Sequence, residues 1–198
     1  RYSFCGKKPM VRARQASISA PRCVPNWVPA TNRSPPLAPR SPAISASQGL
    51  RTLVIDLDPQ GNSTSYLLGD TASDDQPTAA GLFEHTLSYS FKSLPPTDFV
   101  VETPFENLDV MPSSPTLTEL VVKLESRQKI YKLREALKTL GETYDRIYID
   151  TAPALNFYTR AALIGATGCL IPFDCDSFSR QALYALMESV QEIRADHN

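Results

Sequence analysis

At 198 residues, with 42% hydrophobic and 21% charged residues, the chain has the size and composition of one soluble globular domain with a real core. No apolar run approaches the ~20 residues that span a bilayer, and no apolar segment follows the basic N-terminus as a secretory signal would. Cys5, Cys23, Cys169 and Cys175 form no CxxC pair, so a reduced, cytoplasmic setting is expected.

The net charge of −1 hides an asymmetry. Residues 1–48 hold six Arg and two Lys and no acid, whereas 49–198 hold all 21 acids against 12 bases. The first 48 residues also contain eight of the 17 prolines and one glycine, Gly6. Prolines at this density argue against a lasting helix or central strand, and no apolar period of 2 or 3.6 runs through them. This segment is expected to be disordered or only locally ordered. A basic arm for nucleic acid or membrane is one reading of it.

From Gly49 the pattern changes. Arg51–Asp56 reads as a short buried strand ending in carboxylates, broken by the turn residues of Asp58-Pro-Gln-Gly-Asn62. Leu108–Met111 is a second strand. Ser114 and Pro115 suit a helix start. Leu117, Leu120, Val121, Leu124, Leu133, Leu137 and Leu140 then keep one helical stripe that Gly141 is placed to stop. Arg146–Asp150 is a third strand, again ending in an acid. A helix is expected from about Leu155 to Ile164, a fourth strand over Cys169–Phe173, and a last helix from about Ser179. Short apolar strands alternating with amphipathic helices predict an α/β domain with a mostly parallel sheet.

In such sheets ligands sit beyond the carboxyl ends of the strands. Asp56, Asp58 and Asp150 are placed there. An apolar strand feeding Asp150 has the form of a Walker B element, whose carboxylate serves Mg²⁺ directly or through water. Read alone, Asp150 could equally be an acid that caps its own turn, and Asp56 a buried acid that satisfies one. Lys123, Arg127, Lys129, Lys132, Arg134 and Lys138 offer a candidate phosphate-contacting face. The interspersed Glu119, Glu125 and Glu135 argue instead for a solvated helix. His85 and His197 have no ligand spacing around them, and Tyr131, Tyr144, Tyr148 and Tyr158 look like core or boundary aromatics.

Four blocks in order carry a resemblance. Asp56-Leu-Asp-Pro-Gln-Gly-Asn-Ser-Thr64 resembles the DxDPQGN(A/S)T signature of ParA/Soj-type partition ATPases, which are relatives of MinD among the P-loop NTPases with a deviant Walker A motif. Leu108–Ser114 resembles that family's strand exit, Tyr144–Asn156 its YDYIxIDTPPxLN block, and Leu170–Ser179 its (V/L)IP block. The resemblance implies a P-loop NTPase-like sheet flanked by helices and a cytoplasmic, nucleoid-associated ATPase of plasmid or chromosome partitioning. It also implies ATP and Mg²⁺ as cofactors, nonspecific DNA and a partition protein as partners, and a nucleotide-dependent homodimer.

Residue by residue, the resemblance makes Asp58 the catalytic group that positions the attacking water, and Asp150 the Walker B metal acid. Asp56 becomes its neighbour close to Mg²⁺. Gln60, Gly61, Thr151 and Pro153 fall in the nucleotide-facing switch segments, where Ala152 replaces a commoner proline.

The family's KGGxGK(T/S) loop is missing. Its place corresponds to about Val28–Ser34, where the chain reads Val-Pro-Ala-Thr-Asn-Arg-Ser. Without that loop there is no Gly-rich nest, lysine or Mg²⁺-binding hydroxyl for the phosphates. The first, central strand of the family is expected to be missing with it, as are the elements that follow the last helix. Residues 1–48 therefore read as non-native to the fold, either an out-of-frame stretch or a basic proline-rich extension, ahead of a partial ATPase domain over 49–198. Three functions remain open: an ATP-driven switch, a non-catalytic interaction module, and the product of a damaged gene.

Overall fold

The computed structural model of the chain describes residues 22–25, 37–71, 73, 75–88, 94–171 and 177–197. Its strands are β1 (Arg22–Pro25), β2 (Thr52–Asp56), β3 (Val101–Glu102), β4 (Leu108–Met111), β5 (Arg146–Thr151) and β6 (Gly168–Cys169). They lie in the order β3–β4–β2–β5–β1–β6, parallel throughout except for β3 against β4. The helices are α1 (Leu37–Ser47), α2 (Asn62–Leu68), α3 (Ala79–Leu87), α4 (Leu117–Ser126), α5 (Lys132–Leu140), α6 (Phe157–Gly165) and α7 (Ser177–His197).

Successive strand side chains point to opposite faces, and both faces here are apolar. Leu53, Ile55, Ile147 and Ile149 enter one core, shared with α3, α4, α5 and α6. Val54, Val110 and Tyr148 enter the other, beneath Ala46 of α1 and Leu67 and Leu68 of α2. A parallel sheet covered on both faces explains why the strands read as unbroken apolar runs. The expected α/β class is what the chain adopts.

The expected single helical stripe from Leu117 to Leu140 is two helices. Leu124 and Leu133 are both fully buried, so the stripe survives across the break. Between them the chain turns at Gln128, whose φ is +52°. The Gln128 N–H donates to the Glu125 carbonyl and the Lys129 N–H to the Leu124 carbonyl, both at 3.0 Å. This is a Schellman cap with glutamine where glycine is usual. The helix start also moves: Ser114 Oγ accepts from the Thr116 N–H in a turn that precedes α4. Gly141 does follow the end of α5, and Asn156 caps α6 by accepting from the Thr159 N–H at 3.0 Å.

The proline-rich segment departs most from expectation. Arg22–Pro25 forms the central strand expected to be missing, paired from Arg22↔Tyr148 to Pro25↔Thr151. Backbone groups of β5 left open at the centre of a sheet need partners, and any extended stretch supplies them. Pro25 is tolerated at the strand end, beyond the point where pairing with β6 has stopped at Cys23↔Cys169.

In α1, Pro39 falls in the first turn, where N–H groups have no helical partner anyway. Pro42 lies inside the helix and removes one bond. Burial of Ala46, and the 2.8 Å hydrogen bond between Ser45 Oγ and the Tyr148 hydroxyl, offset that loss. Packing therefore begins upstream of residue 49. The expected strand over 169–173 is short, Gly168–Cys169, and residues 172–176 lie outside the described residues. Among the described residues no helix is long and apolar enough to cross a membrane.

Candidate functional site

Three parallel strands end together. Asp56 and Asp150 are register partners across β2 and β5, and the Leu57 N–H donates to the Asp150 carbonyl at 2.8 Å just past them. β1 adds the third end, with Val24 opposite Asp150 and Pro25 opposite Thr151. A cavity of about 330 Å³ lined by Arg51, Asn107, Asp109 and Tyr144 opens at the other, amino end of the sheet. The carboxylate chemistry lies at the carboxyl end, so the site is placed there.

Asp56 is 0% exposed and both its oxygens are engaged. Oδ2 accepts from the Thr64 N–H and the Thr64 hydroxyl, each at 2.8 Å, and Oδ1 accepts from the Asp58 N–H at 3.1 Å. Thr64 Oγ1 in turn accepts from the Ser113 N–H at 2.9 Å, while Ser113 Oγ donates to the Asp58 carbonyl. Gly61 closes the loop at φ +64°, a left-handed value that favours glycine, and caps α2 there. Burial pushes the Asp56 carboxyl up to about 6; the Thr64 and Asp58 hydrogen bonds oppose this, and the charge of Asp58 adds to it.

Asp150, 4% exposed, differs. Its Oδ2 accepts from the Ser63 hydroxyl at 2.5 Å, and its Oδ1 has no partner. The neighbouring Thr151 is 0% exposed and its Oγ1 has none either. Among the described residues these are the two buried side-chain polar atoms left unpaired. Burial pushes the Asp150 carboxyl up to about 7, opposed by the Ser63 hydroxyl, reinforced by the charges of Asp56 and Asp58, and opposed also by the Thr151 backbone N–H. Buried polar atoms are nearly always partnered. The open carboxylate oxygen of Asp150 is a hard donor that suits a divalent cation or its water, whereas the Thr151 hydroxyl, next along β5, points to the opposite face of the sheet.

The structure brings Asp56, Asp58 and Asp150 to one edge, as expected. Asp58 is half-buried, with Oδ1 accepting from the Gln60 N–H at 3.0 Å. Gln60 is exposed, and so is Pro153 in the turn held by the Thr159 hydroxyl on the Ala154 carbonyl. The three hydrogen bonds that Asp56 accepts organise the Asp58 loop and the start of α2. Ser63, Thr64 and Ser113 do the organising and were given no role from sequence. They appear there only as letters inside recognised motifs. Val28–Ser34, the place of the phosphate loop, lies outside the described residues.

The six basic residues do not share one helix. Arg127 Nη1 donates to the Leu87 carbonyl, Lys132 pairs with Glu135, and the Arg134 guanidinium lies 4.8 Å from the Tyr131 ring centre. His197 is not isolated, since its Nδ1 meets the Tyr131 hydroxyl at 2.8 Å.

Residues 41–198 match the AAA_31 family model, an AAA domain. Over 154 residues the chain is 32% identical to the chromosome partitioning protein ParA of Myxococcus xanthus, covering 77% of this chain and 52% of that protein. Over 151 residues it is 30% identical to the sporulation initiation inhibitor protein Soj of Bacillus subtilis, covering 76% and 56%. The chain thus spans about half the length of the curated relatives it matches. Apo McdA of Cyanthece superposes with a TM-score of 0.70 at 24% identity, covering 88% of this chain and 66% of McdA. A plasmid partition protein from Borrelia burgdorferi gives 0.68 at 21%, covering 88% and 75%. At these identities the solved structures speak for the fold alone. Motifs, sheet and relatives agree: the chain belongs to the AAA_31 family, alongside the ParA/Soj partition ATPases.

Proposed function

We propose that residues 41–198 are the switch-bearing part of a ParA-like partition ATPase, and that the 198-residue chain as it stands is defective in nucleotide binding. Asp150 is the observation that carries this reading: a buried carboxylate at a strand end with one oxygen held and one open. In this reading Asp150 faces Mg²⁺, directly or through water, with Asp56 close by, and Thr151 belongs to the nucleotide-facing switch segment. Bound Mg²⁺ would supply charge neutralisation at the phosphates. Asp58, on the more open loop, orients the attacking water, and Gln60, Gly61 and Pro153 border the nucleotide. Asp56 lies close to the cation and frames the Asp58 loop.

The residues fit the metal and the water but not the phosphates. The Val28–Ser34 stretch holds no glycine and no lysine, and residues 49–198 carry 21 acids against 12 bases. Phosphates meeting carboxylates without a cradle are repelled. DNA binding, nucleotide-dependent dimerisation, a stimulating partner and a nucleoid location are properties we assign to the intact architecture. The missing Gly-Lys sequence favours a second reading for the literal chain, a non-catalytic remnant that keeps only the folded scaffold.

Calorimetric titration with ATP and Mg²⁺ tests both. The 198-residue chain should give no micromolar binding, and a version carrying KGGxGKT over 28–34 and extended to the length of its relatives should hydrolyse ATP only with Mg²⁺. Micromolar binding of MgATP by the unaltered chain would overturn the defect. A repaired chain that binds MgATP but never hydrolyses it would overturn the ATPase.

A further inference from the structure

The first turn of α2 touches both carboxylates. Ser63, 3% exposed, donates to Asp150 Oδ2 on β5, and Thr64 holds Asp56 Oδ2 on β2. Through Thr64 Oγ1 and Ser113, the same turn also fixes the exit of β4 and the Asp58 carbonyl. Three segments far apart in the chain are thus tied to two adjacent residues.

We propose that Ser63 is a positioning residue that couples Asp150 to the Asp58 loop. A hydroxyl has one proton to give, and here it goes to Oδ2, which leaves Oδ1 as the oxygen presented. Charge-assisted hydrogen bonds of this kind are among the strong ones, and burial leaves no solvent water to replace it. A change of partner at Asp150 therefore displaces Ser63, and with it Thr64, Ser113 and the loop that carries Asp58. Naming Asp150 as the metal-side acid rests on the function proposed above; the mechanical coupling needs no nucleotide.

Native-state amide hydrogen exchange on the full 198-residue chain tests the coupling. Ser63→Ala and Asp150→Ala should each speed exchange at the Gly61, Thr64 and Ser113 amides about tenfold, while Val54 and Ile149 in the sheet centre stay unchanged. The double variant should show no more than the larger single effect, and Ser63→Thr should restore protection. Additive effects, unchanged rates in Ser63→Ala, or acceleration that includes Val54 and Ile149 would overturn the proposal. If Asp150→Ala does not fold, the Ala and Thr variants at Ser63 decide, and equal behaviour of the two overturns it. Failure of MgATP hydrolysis in a repaired chain would sink the functional reading without moving these rates.

Discussion

Asp56 and Asp150 are register partners at the ends of β2 and β5, yet only Asp56 has both carboxylate oxygens engaged. One carboxylate builds the site and the other is left to serve it. Burial places both in surroundings that disfavour charge, and each ionised acid makes the other harder to ionise.

The pair should make the fold less stable as pH rises. Both carboxyls start from 3.8 and are raised, Asp56 to about 6 and Asp150 to about 7. Between about pH 4 and 7 the folded chain therefore holds protons that the unfolded chain has released, and stability falls with pH through that window. At about 1.4 kcal/mol per tenfold change in proton affinity, Asp56 accounts for about 3 kcal/mol and Asp150 for about 4 kcal/mol across the whole window. Asp150→Asn should remove much of the slope and stabilise the chain at pH 7.5. Urea denaturation at pH 5 and 7.5 measures it. A wild-type stability that climbs across the window, or an Asn variant with an unchanged slope, would contradict the assignment.

Thr64→Val should destabilise by about 2–4 kcal/mol. It deletes a donor to Asp56 and the acceptor of the Ser113 N–H together, and buried groups left unpaired cost about 1–3 kcal/mol each. Thr64→Ser keeps the hydroxyl and should lose less than half as much in chemical denaturation. A loss in Thr64→Ser as large as that in Thr64→Val would mean that the methyl group matters as much as the hydroxyl.

How much of this was legible depends on where the signal lives. β2, β4 and β5 were readable because their side chains are buried on both faces, which leaves an apolar run between turn residues. The break at Gln128 was not, because Leu124 and Leu133 keep the stripe while the backbone turns. β1 was invisible for a different reason. Its place comes from backbone pairing with β5, and four residues including a proline carry no side-chain pattern. Asp58 and Asp150 were legible as motif letters. The roles of Ser63 and Ser113 rest on contacts spanning 87 and 55 residues of chain, which no local spacing encodes.

Gly165→Ala should destabilise, against the usual helix preference. Alanine in a helix normally gains up to about 1 kcal/mol over glycine. At Gly165 a Cβ would come within 2.7 Å of Leu137 Cδ1 and 3.4 Å of the Arg134 Cα. Leu137 is buried among its neighbours, so its side chain has little room to swing aside, and the Arg134 backbone limits any shift of the new methyl group. Overpacking of this kind costs about 1–3 kcal/mol. A melting temperature that rises would show that the α5–α6 contact yields freely.

In a chain given the phosphate loop and extended to the length of its relatives, Asp58→Ala should lower ATP turnover by about 10²–10⁴ while changing ATP affinity less than about threefold. A group that positions water acts mainly in the transition state, so its loss falls on kcat rather than on binding. The substitution also removes the acceptor of the Gln60 N–H, which is a loop effect unrelated to catalysis. Asp58→Asn separates the two, because its side-chain carbonyl can still accept from Gln60 but carries no negative charge. The Ser113 hydroxyl bonds the Asp58 backbone carbonyl and is untouched by either change. Turnover lost equally in Asn and Ala variants assigns the effect to the carboxylate. Turnover kept in Asn and lost in Ala would instead make Asp58 a loop-shaping residue, and equal loss of affinity and turnover in both would place it on the nucleotide rather than on the water.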